Sequence, residues 1–154
     1  MIRRATVDDL PIVIELRLAL LREHCDNPMY SRIRPDAHQR ARPLFASQLS
    51  SPTEITLLAE RDGVVIGILR CIDAAGSPLL DPPRYGYVTS AYVLPAERRT
   101  GVLSALFAHA ERWSLDRGLT EMRLHSTPEN EVAGAAWDAL GFEVVEQLRF
   151  RRSE

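Results

Sequence analysis

Two consecutive arginines, Arg98 and Arg99, stand just before Thr100, Gly101 and an apolar-periodic run that closes at Gly118. The run predicts a helix over about 101–117 with Thr100 as its N-cap. That end of a helix carries the positive pole of the macrodipole and disfavours cations. A bound anion would resolve the conflict. The free N–H groups of the first turn, around Gly101, Val102, Leu103 and Ser104, would point at it, and the dipole would favour its charge. Gly101 has no Cβ, so a bulky anion can approach the backbone. The two guanidinium groups would add charge-assisted hydrogen bonds. A pyrophosphate fits this description. Two solvated arginines on a loop, with Gly101 an incidental turn residue, fit the local pattern equally well.

The stretch is neither of two familiar phosphate motifs. No Gly-Lys-Ser/Thr follows it, and one glycine stands where the dinucleotide fingerprint needs three. Other residues with chemical potential are scattered. His125 closes a predicted strand and carries a group that titrates near neutrality. Glu23, His24 and Asp26 sit together at the start of a loop. Cys25 adjoins His24, but adjacent residues seldom meet as nucleophile and base, and cysteine is commonly a small buried hydrophobe.

The elements that must position these residues alternate in type. "MIRRA" reads as a short strand, and Thr6 or Asp8 can cap the helix after it. Residues 24–36 form a loop. A second helix covers about 36–50, kinked or split at Pro43. "EITLLAE" and "VVIGILRCID" flank Arg61-Asp62-Gly63, a hairpin signal. "YGYVTSAYVL" is a strand ended by Pro95. After the 101–117 helix come a strand "TEMRLHS", a helix capped by Thr127 with Pro128 first and Gly141 last, and a final strand "FEVVEQLRF". The order is β-α-α-β-β-β-α-β-α-β, an α/β chain with a mixed sheet. Leu106, Phe107, Ala110 and Trp113 recur at helical spacing and read as core.

At 154 residues the chain fits one domain, residues 1–154. A net charge of −2 gives no general pull toward nucleic acid or membrane, and no apolar run is long enough to span a bilayer. The N-terminus interleaves Asp8, Asp9, Pro11 and Glu15 with its apolar residues and reads as folded chain. Two cysteines, Cys25 and Cys71, allow at most one disulfide, which a chain this size does not need, so a cytoplasmic location is expected.

The stretch "YVTSAYVLPAERRTGVLSALFAHAERW" resembles the core motif of the GNAT superfamily of N-acetyltransferases: a strand, a proline, then Arg/Gln-x-x-Gly-x-Gly/Ala opening a long helix. Arg98, Arg99, Thr100, Gly101 and Val102 match, while Leu103 departs from the usual Gly or Ala. "NEVAGAAWDALGF" resembles a second family motif, with Asn130, Ala133, Gly141 and Phe142 in place and Trp137 where tyrosine is common. The resemblance implies a GNAT-like acyltransferase fold and acetyl-coenzyme A as co-substrate, with no metal. It implies that "YGYVTSAYVL" splays from "TEMRLHS" so that backbone groups of Tyr92, Val93 and Leu94 meet the pantetheine arm, and that the turn from Arg98 to Ser104 holds the pyrophosphate. Asn130 and Trp137, two helical turns apart, would share the face toward the cofactor.

The implied reaction moves an acetyl group from a thioester to a primary amine of a small molecule or peptide. The tetrahedral oxyanion needs a fixed N–H donor, for which Tyr92 and Val93 are the candidates. Many relatives carry Glu at the position of Thr89. Thr89 and Ser90 can instead orient a water that takes the amine proton; His125, Glu23, His24 and Asp26 are alternative bases. Trp137 cannot donate a proton as a phenol does, so water, or Tyr30, Tyr85 or Tyr87, would protonate the leaving thiolate. The same substitutions leave open a catalytically silent acetyl-CoA-binding regulatory module, and covalent catalysis by Cys25. Residues 24–36 would form part of the acceptor wall. Few residues follow Phe142, so the last strand is expected to lack a hairpin partner, and a second copy of the chain could cover its edge.

Overall fold

The computed structural model describes residues 1–154. Strand β1 (Ile2–Arg4) leads through a short 3-10 turn into helix α1 (Leu10–Glu23). Helix α2 (Ala37–Leu49), strands β2 (Glu54–Arg61), β3 (Val64–Ala75) and β4 (Arg84–Val93), helix α3 (Val102–Asp116), strand β5 (Met122–Leu124) and helix α4 (Glu131–Ala139) follow. The five strands form one sheet in sequence order. β1 to β4 pair antiparallel, and β5 lies parallel to β4. The β2–β3 hairpin turns on Asp62 and Gly63 with φ of +53° and +78°, the geometry of a type I′ turn.

Each sheet face buries one core. Leu57, Leu69, Val88, Leu106, Phe107, Ala110 and Trp137 pack on the α3 face. Val13, Ile14, Phe45, Leu58, Ile68 and Tyr92 pack between the sheet and α1–α2. At the N-terminus Arg3 grips the Asp9 carboxylate through two 2.8 Å bonds, and Asp9 also accepts the Thr6 N–H at 2.8 Å. Thr6 is the N-cap of the short turn before α1, while the N-cap of α1 itself is Asp9 and not the expected Thr6 or Asp8.

Three further expectations require correction at α2, at the C-terminal segment and at the start of α4. α2 runs unbroken through Pro43. Pro43 and Gln39, whose carbonyl loses its helical donor, both face solvent, where water can satisfy that carbonyl. "FEVVEQLRF" forms no strand. Its alternation suits a sheet, but no edge of this chain's sheet pairs with it, and Val144, Val145 and Leu148 are 78%, 84% and 67% exposed. α4 is capped by Asn130 rather than Thr127: the Asn130 side-chain oxygen accepts the Ala133 N–H at 3.1 Å. The helix ends in a Schellman motif, in which Phe142 N–H reaches the Trp137 carbonyl and Gly141 N–H reaches that of Asp138.

Candidate active site

The sheet opens where β4 and β5 part. Their pairing stops at Val88 opposite Leu124. β4 continues to Val93 with no strand on that edge, which borders a cavity of about 810 Å³. A bulge lies inside this free stretch. On β3 the chain steps from Arg70 to Ile68, while β4 needs Thr89 through Tyr92 to keep pace. The extra residue is Ser90, whose φ of +55° is left-handed. The bulge reverses the facing of every later residue. Val88 joins the α3-side core, and so do Ala91 and Val93, while Tyr92 crosses to the α1–α2 side. Leu94 donates its N–H to Ile66 of β3 at 2.9 Å. By strand alternation Val93 presents its own N–H and carbonyl to the open edge, and Tyr92 turns its backbone toward β3. Of the two expected oxyanion donors, only Val93 therefore faces the opening.

The turn before α3 borders the same cavity. The first helical bond runs from Ala105 N–H to the Gly101 carbonyl at 3.0 Å, so the N–H groups of Val102, Leu103 and Ser104 have no acceptor within the helix. Gly101, not Thr100, is the N-cap. Its φ is +85°, and a Cβ built there meets nothing within 4 Å. Thr100 cannot cap because its hydroxyl donates to the Glu97 carbonyl at 2.6 Å. The arginines divide their work. Arg98 donates to the Val93 carbonyl at 2.8 Å and to Glu23 at 2.6 Å, with its guanidinium 5.4 Å from the Tyr92 ring. It clamps the turn to β4 and to the end of α1. Arg99, exposed and with φ of +64°, carries no ion pair or hydrogen bond. The conflict between cation and dipole is thus half resolved within the fold and half left for a ligand.

α4 closes the opposite wall. Trp137 is 8% exposed, lines the cavity and packs edge-on against Phe142 with ring centroids 5.7 Å apart. It is core and site wall at once. Asn130 spends its carbonyl oxygen on the helix cap and keeps its amide nitrogen uncommitted. The Thr127 hydroxyl is buried in this wall and has no hydrogen-bond partner. An amide- and phosphate-bearing ligand would use all three features: free amides at one end, the bare β4 edge along the middle, and an orphaned hydroxyl at the wall.

Thr89 and Tyr87 alternate with Val88 and face the α1–α2 side. Tyr87 shares a 2.7 Å hydrogen bond with His125 Nδ1, just beyond the end of β5. Burial pushes the Tyr87 phenol up, helped by Tyr30 and Tyr85 and opposed by Arg70. Glu23 and His24 line the cavity from the end of α1, and Tyr30 from the loop after it. Cys25 lies exposed and outside the cavity wall. The Tyr87–His125 pair and the Arg98–Glu23 clamp were not legible as pairs in the sequence. The β4–β5 register was the missing signal for the first; nothing local signals a bond across 75 residues for the second.

A profile of the acetyltransferase (GNAT) family matches residues 18–142. The chain belongs to the GNAT acetyltransferase family. Aminoglycoside N(6′)-acetyltransferase type 1 of Salmonella typhimurium is 32% identical over 107 residues, 63% of this chain and 68% of that protein. The enzyme of the same name from Stenotrophomonas maltophilia is 29% identical over 155 residues, 98% and 91% of the two chains. The crystal structure of aminoglycoside N-acetyltransferase AAC(6′)-Iy in complex with CoA superposes with a TM-score of 0.80 at 27% identity, covering 99% of this chain and 93% of that one. This GNAT chain is an N-acetyltransferase that takes its acetyl group from acetyl-CoA and passes it to a primary amine. The named enzymes among its relatives do not favour a silent binding module. No helix is long and apolar enough to cross a membrane.

Proposed function

We propose that the acceptor is an amino sugar of the aminoglycoside class, acetylated in the opening between β4 and β5. The observation that carries this reading is the match to an aminoglycoside N(6′)-acetyltransferase over nearly the whole of both chains. The acceptor side supports it. Beside the main cavity lies a recess of about 300 Å³ lined by Glu23, His24, Asp26, Asn27, Glu129 and Asn130, with no apolar side chain. Asp26 and Glu129 carry no ion pair there, while Glu23 is held by Arg98, and the two open carboxylates suit an acceptor carrying several ammonium groups.

In this reading the amides of Val102, Leu103 and Ser104, with Gly101 and the free Arg99, hold the diphosphate of acetyl-CoA. Arg98 and Thr100 shape that turn. The free edge of β4 at Val93 receives the pantetheine arm, Tyr92 and Leu94 having turned their backbone to β3, and Asn130, Thr127 and Trp137 bound its thiol end. Val93 N–H donates to the oxyanion. Thr89 and Ser90 hold the water that first receives the amine proton; neither is a carboxylate base. The whole of residues 1–154 forms the one catalytic domain. Unbridged Cys25 and Cys71 support a reducing, cytoplasmic setting. Exposed Val144, Val145 and Leu148 support a second copy covering the C-terminal segment, which sedimentation would read as twice the chain mass.

An amine panel followed by release of free coenzyme A thiol tests the acceptor. Neamine should be acetylated in preference to spermidine and to peptides with a free lysine. Turnover of the peptides with none of neamine would overturn the assignment.

A further inference from the structure

We propose that His125 is the final acceptor of the amine proton and that Tyr87 is the positioning residue that sets its tautomer. The inference deepens the reading above, since it concerns proton transfer at the same opening. Its starting point is a chemical gap: Thr89 and Ser90 can pass a proton through water but cannot keep one. A group that keeps it must border the opening, face the acceptor side and be able to hold a proton.

The strand register supplies that group. Tyr87 pairs with Arg123 and Val88 with Leu124, so His125 follows at the point where the strands separate. Both Tyr87 and His125 line the cavity, and their 2.7 Å bond spans the gap from one strand to the other. The bond engages Nδ1. Two arrangements satisfy it. If the phenol donates to Nδ1, the imidazole proton sits on Nε2 and neither nitrogen is free to take another from the acceptor. If Nδ1–H donates to the phenol oxygen, Nε2 is bare and basic. Only the second gives a base. The phenol stays protonated throughout, since burial among Tyr30 and Tyr85 outweighs the nearby Arg70. It remains a neutral acceptor and does not compete for the proton. His125 is exposed on its outer side, so the proton taken on Nε2 leaves to solvent.

The step balances. The amine nitrogen forms the new bond to the acetyl carbon, and its proton passes, through the water at Thr89 and Ser90, to Nε2 of His125. The carbon–sulfur bond then breaks, and the thiolate takes a proton from solvent. Glu23, His24 and Tyr30 on the acceptor side, Tyr92 on β4, Glu97, Arg98 and Arg99 on the turn before α3, and Glu131 on α4 are the other titratable or charged groups bordering the cavity. His24, the one other imidazole there, lies tilted at 42° against Tyr30 with ring centroids 5.8 Å apart.

Two measurements decide the proposal, and the first needs no acceptor. Imidazole nitrogen NMR of the whole protein at pH 8 should show His125 with its proton on Nδ1 and Nε2 bare. Tyr87→Phe should move that proton to Nε2. A wild-type His125 carrying its proton on Nε2 overturns the proposal, whatever the natural acceptor. The second is the pH profile of acetylation with neamine, or with whichever panel amine turns over. Activity should show an acid limb in the wild type and in His24→Gln. His125→Gln should lose that limb and about a hundredfold or more in kcat, with the KM for acetyl-CoA unchanged. Tyr87→Phe should shift the limb, which a merely structural role would not do. If His125→Gln keeps both kcat and the acid limb, His125 is not the acceptor of the proton.

Discussion

Trp137 is asked to serve the core and the site with one side chain. Its burial against Phe142 predicts that Trp137→Ala costs about 3–5 kcal/mol of stability, read as a lower urea midpoint, together with weaker acetyl-CoA binding. Trp137→Phe keeps most of the apolar volume and should keep most of kcat. Trp137→Tyr puts a phenol at the proposed thiol end. A rise in kcat would show that thiolate departure limits the wild type; no rise would place the slow step elsewhere. Several single residues were legible beforehand. Gly101, Asn130 and Trp137 all border the cavity from the expected sides. Arg98 was legible as a residue but not in its role. Its partner Glu23 is distant in the chain, and only the folded end of α1 brings the two within 2.6 Å.

Among the elements, the turn into α3 depends on the left-handed conformation of Gly101. A side chain there finds open space but a poor backbone region. Gly101→Ala should therefore cost about 1–3 kcal/mol of stability from strain alone. It should also weaken acetyl-CoA binding by about tenfold or more by calorimetry, equivalent to about 1.4 kcal/mol or more, because the new methyl group enters the phosphate approach. Wild-type affinity in a folded variant would place the diphosphate elsewhere. Gly101→Val is a poorer probe, since a β-branched residue suits that φ least. Element types and order were largely legible from periodicity, with boundaries close to those observed. The bulge at Ser90 was not, because "YGYVTSAYVL" reads as an uninterrupted strand. The extra residue is visible only against the register of β3. The C-terminal segment shows the converse. Its pattern is a strand's, but a strand exists only with a partner for its backbone.

Across the whole molecule, the N-terminal staple links stability to pH. Hydrogen bonds from Arg3 hold the Asp9 carboxyl below its ordinary value, with a further backbone bond from Thr6 and against a smaller effect of burial. A depressed carboxyl contributes stability that is fully present above the ordinary carboxylate range and is lost as pH falls through the depressed value. Urea unfolding should therefore give the same midpoint at pH 7 and 6 for this contribution and a lower one below about pH 4. Asp9→Asn should start lower and fall less steeply over that interval. An equal slope in both proteins would mean that Asp9 is not a source of the acid sensitivity. The near-continuous apolar runs of β2 and β3 suit strands buried on both faces, but the opening between β4 and β5 was legible only through family resemblance. It arises because β5 stops at Leu124 while β4 runs on to Val93. The central claim is that this opening and the turn beside it form the acetyl-CoA site. Backbone amide NMR during titration with coenzyme A tests it without altering a residue. The largest shifts should fall on Val102, Leu103 and Ser104 at the turn and on Val93 at the free edge. Saturable binding that leaves those four amides in place and shifts a different surface would contradict the account.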